Sequence, residues 1–330
     1  MSKQIPYDRE KPYNQLPLLP PEEEKIITIR VMQALNNANR ALAELKGLAR
    51  KLPNQSMLVN TIALREAKAS TEIENIFTTD DELYKSLTYK ESDIKGGAKE
   101  VLFYRQALWS GYHLIKKNEE FSNELIVKVY QIVKEVNDSI RPDQTETVIT
   151  KRGSGLLGSS IVYTPPRGKL IIQTKLDNLY DYLNNDDKYP HDPLIKLAIS
   201  HYQFEAIHPF RDGNGRAGRI LSILYLIQKR LLEVPILYLS AFIIKQKEDY
   251  YDSHNRVTTR MNWEDWIIYM LKSIEETTLY TIRKIEEIDK LFNTILTLVN
   301  QKLPHIRKET VEKLFEQPYI SPKTLIGQNI

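Results

Sequence analysis

Apolar residues recur at intervals of three and four over nearly all of this chain, in stretches punctuated by prolines and glycines, and that spacing restricts it to a fold of packed helices. Ile26, Ile29, Met32, Leu35, Leu42 and Leu45 carry the pattern through Glu22–Arg50. Pro53 separates this segment from a second run, Met57 to Phe77, followed by a polar helix to about Tyr89 and a break at Gly96-Gly97. From Ala98, one stripe is formed by Val101, Tyr104, Leu108, Tyr112 and Ile115, and the next by Leu125, Val129, Ile132, Val133 and Val136. The spacing predicts further helices over Leu176–Leu183, His191–Ala206, Gly215–Leu232, Ser240–Val257 and Trp263–Gln301. Between Arg141 and Thr174 the period changes: TVITKRGSGLLGSSIVYTPPRGKLIIQT has β-branched runs, glycines and a Pro-Pro, and reads as an irregular hairpin. The expected fold is all-α with one β-hairpin, entered through an extended arm kept open by Pro12, Pro17, Pro20 and Pro21.

Composition narrows the function classes. Forty-six basic against 43 acidic residues leave a net charge of only +3, which argues against bulk coating of nucleic acid while permitting a local basic site. The absence of cysteine excludes disulfides and thiolate metal sites. The N-terminal stretch is polar and proline-rich, and no segment reaches about 18 uninterrupted apolar residues, so a cytoplasmic protein without a membrane span is expected.

One dodecapeptide needs a different explanation. HPFRDGNGRAGR, His208 to Arg219, lies between two predicted helices and combines a histidine, an acid, glycines and three arginines. Gly213-Asn214-Gly215 begins a helix, whose unpaired N–H groups and positive dipole end attract anions, and glycines let a phosphate approach the main chain. Arg216 and Arg219 lie three apart in its first turn, which suits a polyphosphate. Asp212 is poorly placed against phosphate and makes sense as a magnesium ligand. His208 supplies a proton acceptor near neutral pH, and Phe210 is expected to pack inward. Two other readings stand beside this one: an Asn-Gly hairpin turn, disfavoured by the helical flanks, and a metal set of His201, Glu205 and His208, disfavoured by the nearby arginines.

These twelve residues resemble the full signature of the Fic family, H-P-F-x-[D/E]-G-N-G-R-x-x-R, with every fixed position matched. PYNQLPLLPP near the N-terminus, the YTPP stretch and Tyr250-Tyr251 are similar to bacterial members, so the likeness runs over about residues 5 to 300. The resemblance implies a helical Fic fold that binds ATP with magnesium and transfers AMP to a hydroxyl side chain of another protein. On it, His208 is the general base, Asp212 the magnesium ligand, and Gly213 to Gly215 the anion cradle. Asn214 steadies the α-phosphate, and Arg216 and Arg219 hold the outer phosphates. Tyr250 and Tyr251 are candidates for the nucleoside pocket, with packing of one helical face an equal reading for either. The hairpin around Ile161 to Thr164 resembles the flap on which targets dock as an added strand.

Upstream, STEIEN, Ser70 to Asn75, resembles the inhibitory motif [S/T]-x-x-x-E-[G/N], with Ser70 and Glu74 four apart on one helical face. The likeness implies that Glu74 pairs with Arg219 and obstructs the γ-phosphate site. The segment TVEKLFEQPYISPKTLIGQNI is similar to the opening of a winged-helix module but stops before a recognition helix, which argues against DNA binding. The expected divisions are an N-terminal helical region with the inhibitory helix (1–97), the Fic catalytic domain (98–260), a C-terminal helical region (261–302) and an incomplete winged-helix-like segment (303–330). The expectation is an autoinhibited protein adenylyltransferase acting on Ser, Thr or Tyr hydroxyls, with the chain itself a candidate target. A phosphotransferase of the same superfamily and a nucleotide-sensing DNA-binding regulator are the alternatives.

Overall fold

The computed structural model describes residues 7–51, 55–87, 94–117, 120–151 and 160–316. Among them are thirteen helices and one two-stranded sheet. The central pair is α8 (Pro193–Ile207) and α9 (Asn214–Gln228), in which nearly every residue is buried. Asp192 caps α8 by accepting from the Leu194 N–H at 2.8 Å, and Pro193 at the first helical position needs no partner for a missing N–H. α5 (Gly96–Lys116) and α6 (Asn123–Lys134) pack on α9, while α7 (Lys169–Asn184) packs on α8. Ser122 caps α6, which buries Leu125, Ile126, Val129, Tyr130 and Val133.

On the other side, the long α12 (Trp263–Lys302) lies along α2 (Ile29–Lys51) and α8. α3 (Gln55–Ile73) is held by α5 and by α10 (Leu239–Lys245). The short α1 (Glu23–Ile26), α4 (Asp80–Ser86), α11 (Lys247–Arg260) and α13 (Lys308–Glu316) complete the helical set. A Thr79–Glu82 capping box starts α4. Buried residues from every one of these helices except α13 form one continuous cluster.

Some sequence expectations change in detail. The single helix expected over Glu22–Arg50 is interrupted after Ile26, and the new helix takes its phase from Val31, Leu35, Ala38, Leu42 and Leu45. Ile29 and Met32 therefore lie outside the core stripe, 80% and 46% exposed. Gly96 and Gly97, read as a break, are the first two residues of α5, and a Cβ on Gly97 would collide with the Phe77 carbonyl. The helix expected over Ser240–Val257 is two helices, α10 and α11, joined at Gln246.

The hairpin pairs β1 (Ile149–Lys151) antiparallel with β2 (Ser160–Tyr163), with Ile149 opposite Tyr163 and an irregularity before Thr150. The glycine-rich run between the strands lies outside the described residues, as does 317–330 of the winged-helix expectation. The proline-rich arm lies against the outer edge of β2. Tyr13 N–H donates to the Thr164 carbonyl at 3.0 Å, the Tyr7 hydroxyl to the Val162 carbonyl at 3.3 Å, and both rings pack near Tyr163. No described helix is long and apolar enough to cross a membrane.

Candidate active site

The dodecapeptide forms the turn between α8 and α9 and the first residues of α9, and its own residues shape it. His208 ends α8 in the left-handed region at φ 51°, ψ 59°. Phe210 is fully buried, as expected, and stacks on Tyr130 with ring centroids 3.9 Å apart. Both polar atoms of the Asn214 carboxamide bond the Phe210 peptide at 2.9 Å, so Asn214 closes the loop from within. Gly213 sits at φ 77°, where a side chain is strained, and a Cβ there would also press on Lys134.

Asp212 lies at the mouth of this loop with its side chain 72% exposed. One carboxylate oxygen accepts from the Gly213 N–H at 2.7 Å and the other from Lys134 Nζ at 2.6 Å. Partial burial opposes ionisation, but the Lys134 ammonium, the Gly213 N–H and Arg216 outweigh it and hold the carboxyl below its usual range.

The start of α9 faces the end of α3. Arg219, 1% exposed, donates from Nε to Ser70 Oγ at 2.8 Å and from Nη2 to the Ser70 carbonyl at 2.9 Å. The same Nη2 meets Glu74 Oε1 at 2.8 Å. A Cβ on Gly215 would stand 2.5 Å from that Glu74 oxygen, so the carboxylate occupies the space the glycine leaves open at the helix N-terminus. Burial alone would lower the Arg219 pKa; the charge of Glu74 and the neighbouring tyrosines outweigh it and raise it above the ordinary value. Ser70, Glu74, Gly215 and Arg219, picked from segments far apart in sequence, thus meet at one point.

Other candidates are placed differently. Arg216 is 2% exposed and pairs with Glu100 of α5, so Arg216 and Arg219 do not share a partner here. Tyr250 is buried, with its hydroxyl 2.8 Å from His201 Nε2, whereas Tyr251 is half exposed. His201 is bonded on its other side to Ser222, and burial, then Arg219 and His254, push it down to about 3. The set His201, Glu205 and His208 forms no metal cluster among the described residues. Glu205 Oε1 is buried without a hydrogen-bond partner against Gly218, and burial pushes its carboxyl up to about 7.

His208 has a buried Nδ1 with no hydrogen-bond partner. Burial first, and then the Arg141 charge, push its imidazole down to about 4, so it is neutral near pH 7 and able to accept a proton. Sequence reasoning missed Lys134, Glu100 and Arg141. Each is a common residue on another element that acquires a role only by packing beside the loop.

These residues fit a nucleoside triphosphate with magnesium. An acidic oxygen already rests between Arg219 and the glycine at the start of α9, where anions are favoured. One exposed carboxylate, Asp212, matches an ion that takes its remaining ligands from phosphate and water.

Comparison with known proteins gives a consistent result. Residues 32–113 match the family model described as Fic/DOC family N-terminal, and residues 120–226 match that of the Fic/DOC family. The chain is 28% identical over 140 residues to protein adenylyltransferase fic-1 of Caenorhabditis elegans, covering 42% of this chain and 25% of that protein. It is 30% identical over 175 residues to the probable protein adenylyltransferase aq_aa38 of Aquifex aeolicus, covering 51% and 49%. The chain thus spans at most about half the length of these relatives. Among solved structures, a Fic family protein of Desulfovibrio desulfuricans G20 superposes with a TM-score of 0.64 at 21% identity, over 81% of this chain and 77% of that one. Fic-1 of C. elegans superposes at 0.57 and 20% identity, over 78% and 74%.

Proposed function

This chain belongs to the Fic/DOC family, and from that premise we propose that it is an autoinhibited protein adenylyltransferase, moving AMP from ATP to a hydroxyl side chain of a protein. The observation that carries the reading is the Glu74 carboxylate between Arg219 and Gly215, a negative group held where the loop is built to receive one. In the proposed reaction the target hydroxyl oxygen bonds the α-phosphorus as the bond to pyrophosphate breaks, and His208 takes the hydroxyl proton. Magnesium, when bound, would draw charge from the phosphates beside Asp212. Arg219, once free of Glu74, would turn its fork to the terminal phosphate.

Gly213 and Gly215 leave the main chain open to phosphate, and Asn214 keeps the loop in shape through Phe210. Tyr251, exposed beside the site, is the better placed of the two tyrosines to meet the nucleoside. A target strand would dock at the exposed start of β2, by Ser160 and Ile161, and would have to displace the chain's own arm to reach the Val162 and Thr164 carbonyls. Self-modification and a cytoplasmic setting are parts of the same proposal.

The test compares wild type with Glu74→Gly in ATP and magnesium at matched folded fraction, reading protein-bound adducts by intact mass. The variant should transfer AMP at least about tenfold faster, since about 1.4 kcal/mol of better triphosphate seating suffices. If Glu74 were a solvated helix-end residue, the variant would be equal or slower. A phosphate adduct in place of AMP would instead assign the phosphotransferase chemistry of the superfamily.

A further inference from the structure

Arg141 is the residue whose surroundings the proposed reaction has not yet used. It is 2% exposed, lies in the loop after α6, and none of the ion pairs among the described residues includes it. Its bonds go to carbonyl oxygens instead. Nε donates to the His208 carbonyl at 2.8 Å and Nη2 to that of Ile207 at 3.3 Å, while Nη2 also reaches the Pro166 carbonyl at the root of the flap. Its own N–H donates to the Pro209 carbonyl at 2.9 Å.

Two of these acceptors, Ile207 and His208, are carbonyls at the C-terminal end of α8, which no longer have a helical N–H ahead of them. A cation at that end is favoured by the helix dipole. The left-handed turn at His208 is unfavourable for a residue with a side chain and persists only where its surroundings hold it. A guanidinium offers five donors in a rigid plane and can serve carbonyls of two chain segments at once; an ammonium offers a single point.

We propose that Arg141 is the positioning residue of the transfer site: its fork fixes the turn that presents His208 and ties that turn to the root of the flap, so base and docked strand are set by one side chain. The proposal rests on the reading of His208 as the base. The carbonyls of two chain segments take up the donors of the buried guanidinium in place of a carboxylate partner. Burial pushes the guanidinium down to about 10, which leaves it charged near neutral pH. That charge is one of those facing His208; His254 from α11 adds a second nitrogen base, and Glu74 and Asp212 act in the opposite direction.

The experiment uses the full chain carrying Glu74→Gly, with Arg141→Lys and Arg141→Met added singly, and folding checked by thermal melting. Transfer is read as label from α-labelled ATP appearing on protein, the chain itself included. His208 is followed separately by NMR of ring-labelled histidine, assigned with His208→Gln. Arg141→Lys keeps the charge and loses the fork, so kcat should fall at least about tenfold with KM for ATP unchanged, as a small misplacement of a reacting group costs up to about 10²-fold. Arg141→Met should in addition move the His208 titration up toward the ordinary imidazole value. A folded Arg141→Lys with the parent's kcat, or His208 ring shifts and titration unaltered in Arg141→Met, would overturn the proposal. If the parent itself transfers nothing, the adenylyltransferase reading fails, and the NMR result alone decides whether Arg141 positions the ring.

Discussion

His208 can serve as a base only while neutral, and the fold keeps it so by enclosing it and setting Arg141 behind it. An ordinary imidazole titrates near 6.5, whereas this one is pushed down to about 4. On the free protein, kcat/KM on the acid side should therefore stay flat to about pH 5, and a limb near 6.5 would show an ordinary imidazole at work. His208→Ala should lower transfer at least about 10²-fold while calorimetry finds ATP binding little changed, because the base acts on the incoming hydroxyl. A collapse of ATP affinity in that variant would make His208 a phosphate or scaffold residue. The motif's other residues divide in a way their spacing alone does not reveal: Asn214 and Phe210 build the loop, Gly213 and Gly215 leave it open, and Arg216 turns to Glu100.

At the scale of elements, what matters is how firmly α3 is held against α9. Glu66, Ser70 and Glu74 follow one another at intervals of four, so a single face of the helix and its end supplies all three contacts. Glu66 is fully buried and accepts from the Ser240 N–H at 2.8 Å, from Ser240 Oγ, and from the Tyr104 hydroxyl at 3.0 Å. It anchors α3 to α10 and α5, one turn before Ser70 reaches Arg219. Glu66→Leu leaves those donors buried and unpaired and should cost about 1–3 kcal/mol, read as a lower urea midpoint. Because a looser α3 holds Glu74 less firmly, basal AMP transfer should rise as well, to less than the Glu74→Gly level. Lost stability with unaltered transfer would separate the anchoring of α3 from inhibition.

For the whole molecule, the buried histidines link folding to pH. His254, with a buried Nε2 that has no partner, is pushed down to about 4 by burial and then by its neighbour His208. The unfolded chain takes up that proton below about 6.5 while the folded chain resists to about 4, so this contribution is complete above 6.5 and is lost as pH falls through the interval. Glu205, pushed up to about 7, acts with the opposite sign between its unfolded value and 7. Comparing wild type with His254→Leu cancels Glu205 and isolates the histidine. Between pH 7 and pH 5 the variant should lose on the order of 1–2 kcal/mol less stability, measured by urea unfolding at each pH. Equal losses would mean that His254 titrates normally.

Helical class, the hairpin and the motif loop were all legible in the sequence, because they rest on local rules: apolar spacing, glycine and proline punctuation, and the chemistry of a helix N-terminus. Even the pairing of Glu74 with Arg219 could be expected from the resemblance of two short segments to known motifs. The phase of α2 could not, since Val31 and not Ile29 faces the core only after the chain turns at Ile27. Nor could the partners of the loop, Lys134, Glu100 and Arg141, for each is an ordinary charged residue until a distant element brings it within hydrogen-bonding distance. Spacing along a chain determines which side chains share a face; which side chain from elsewhere meets that face, and whether water remains to screen it, is decided only when the helices pack.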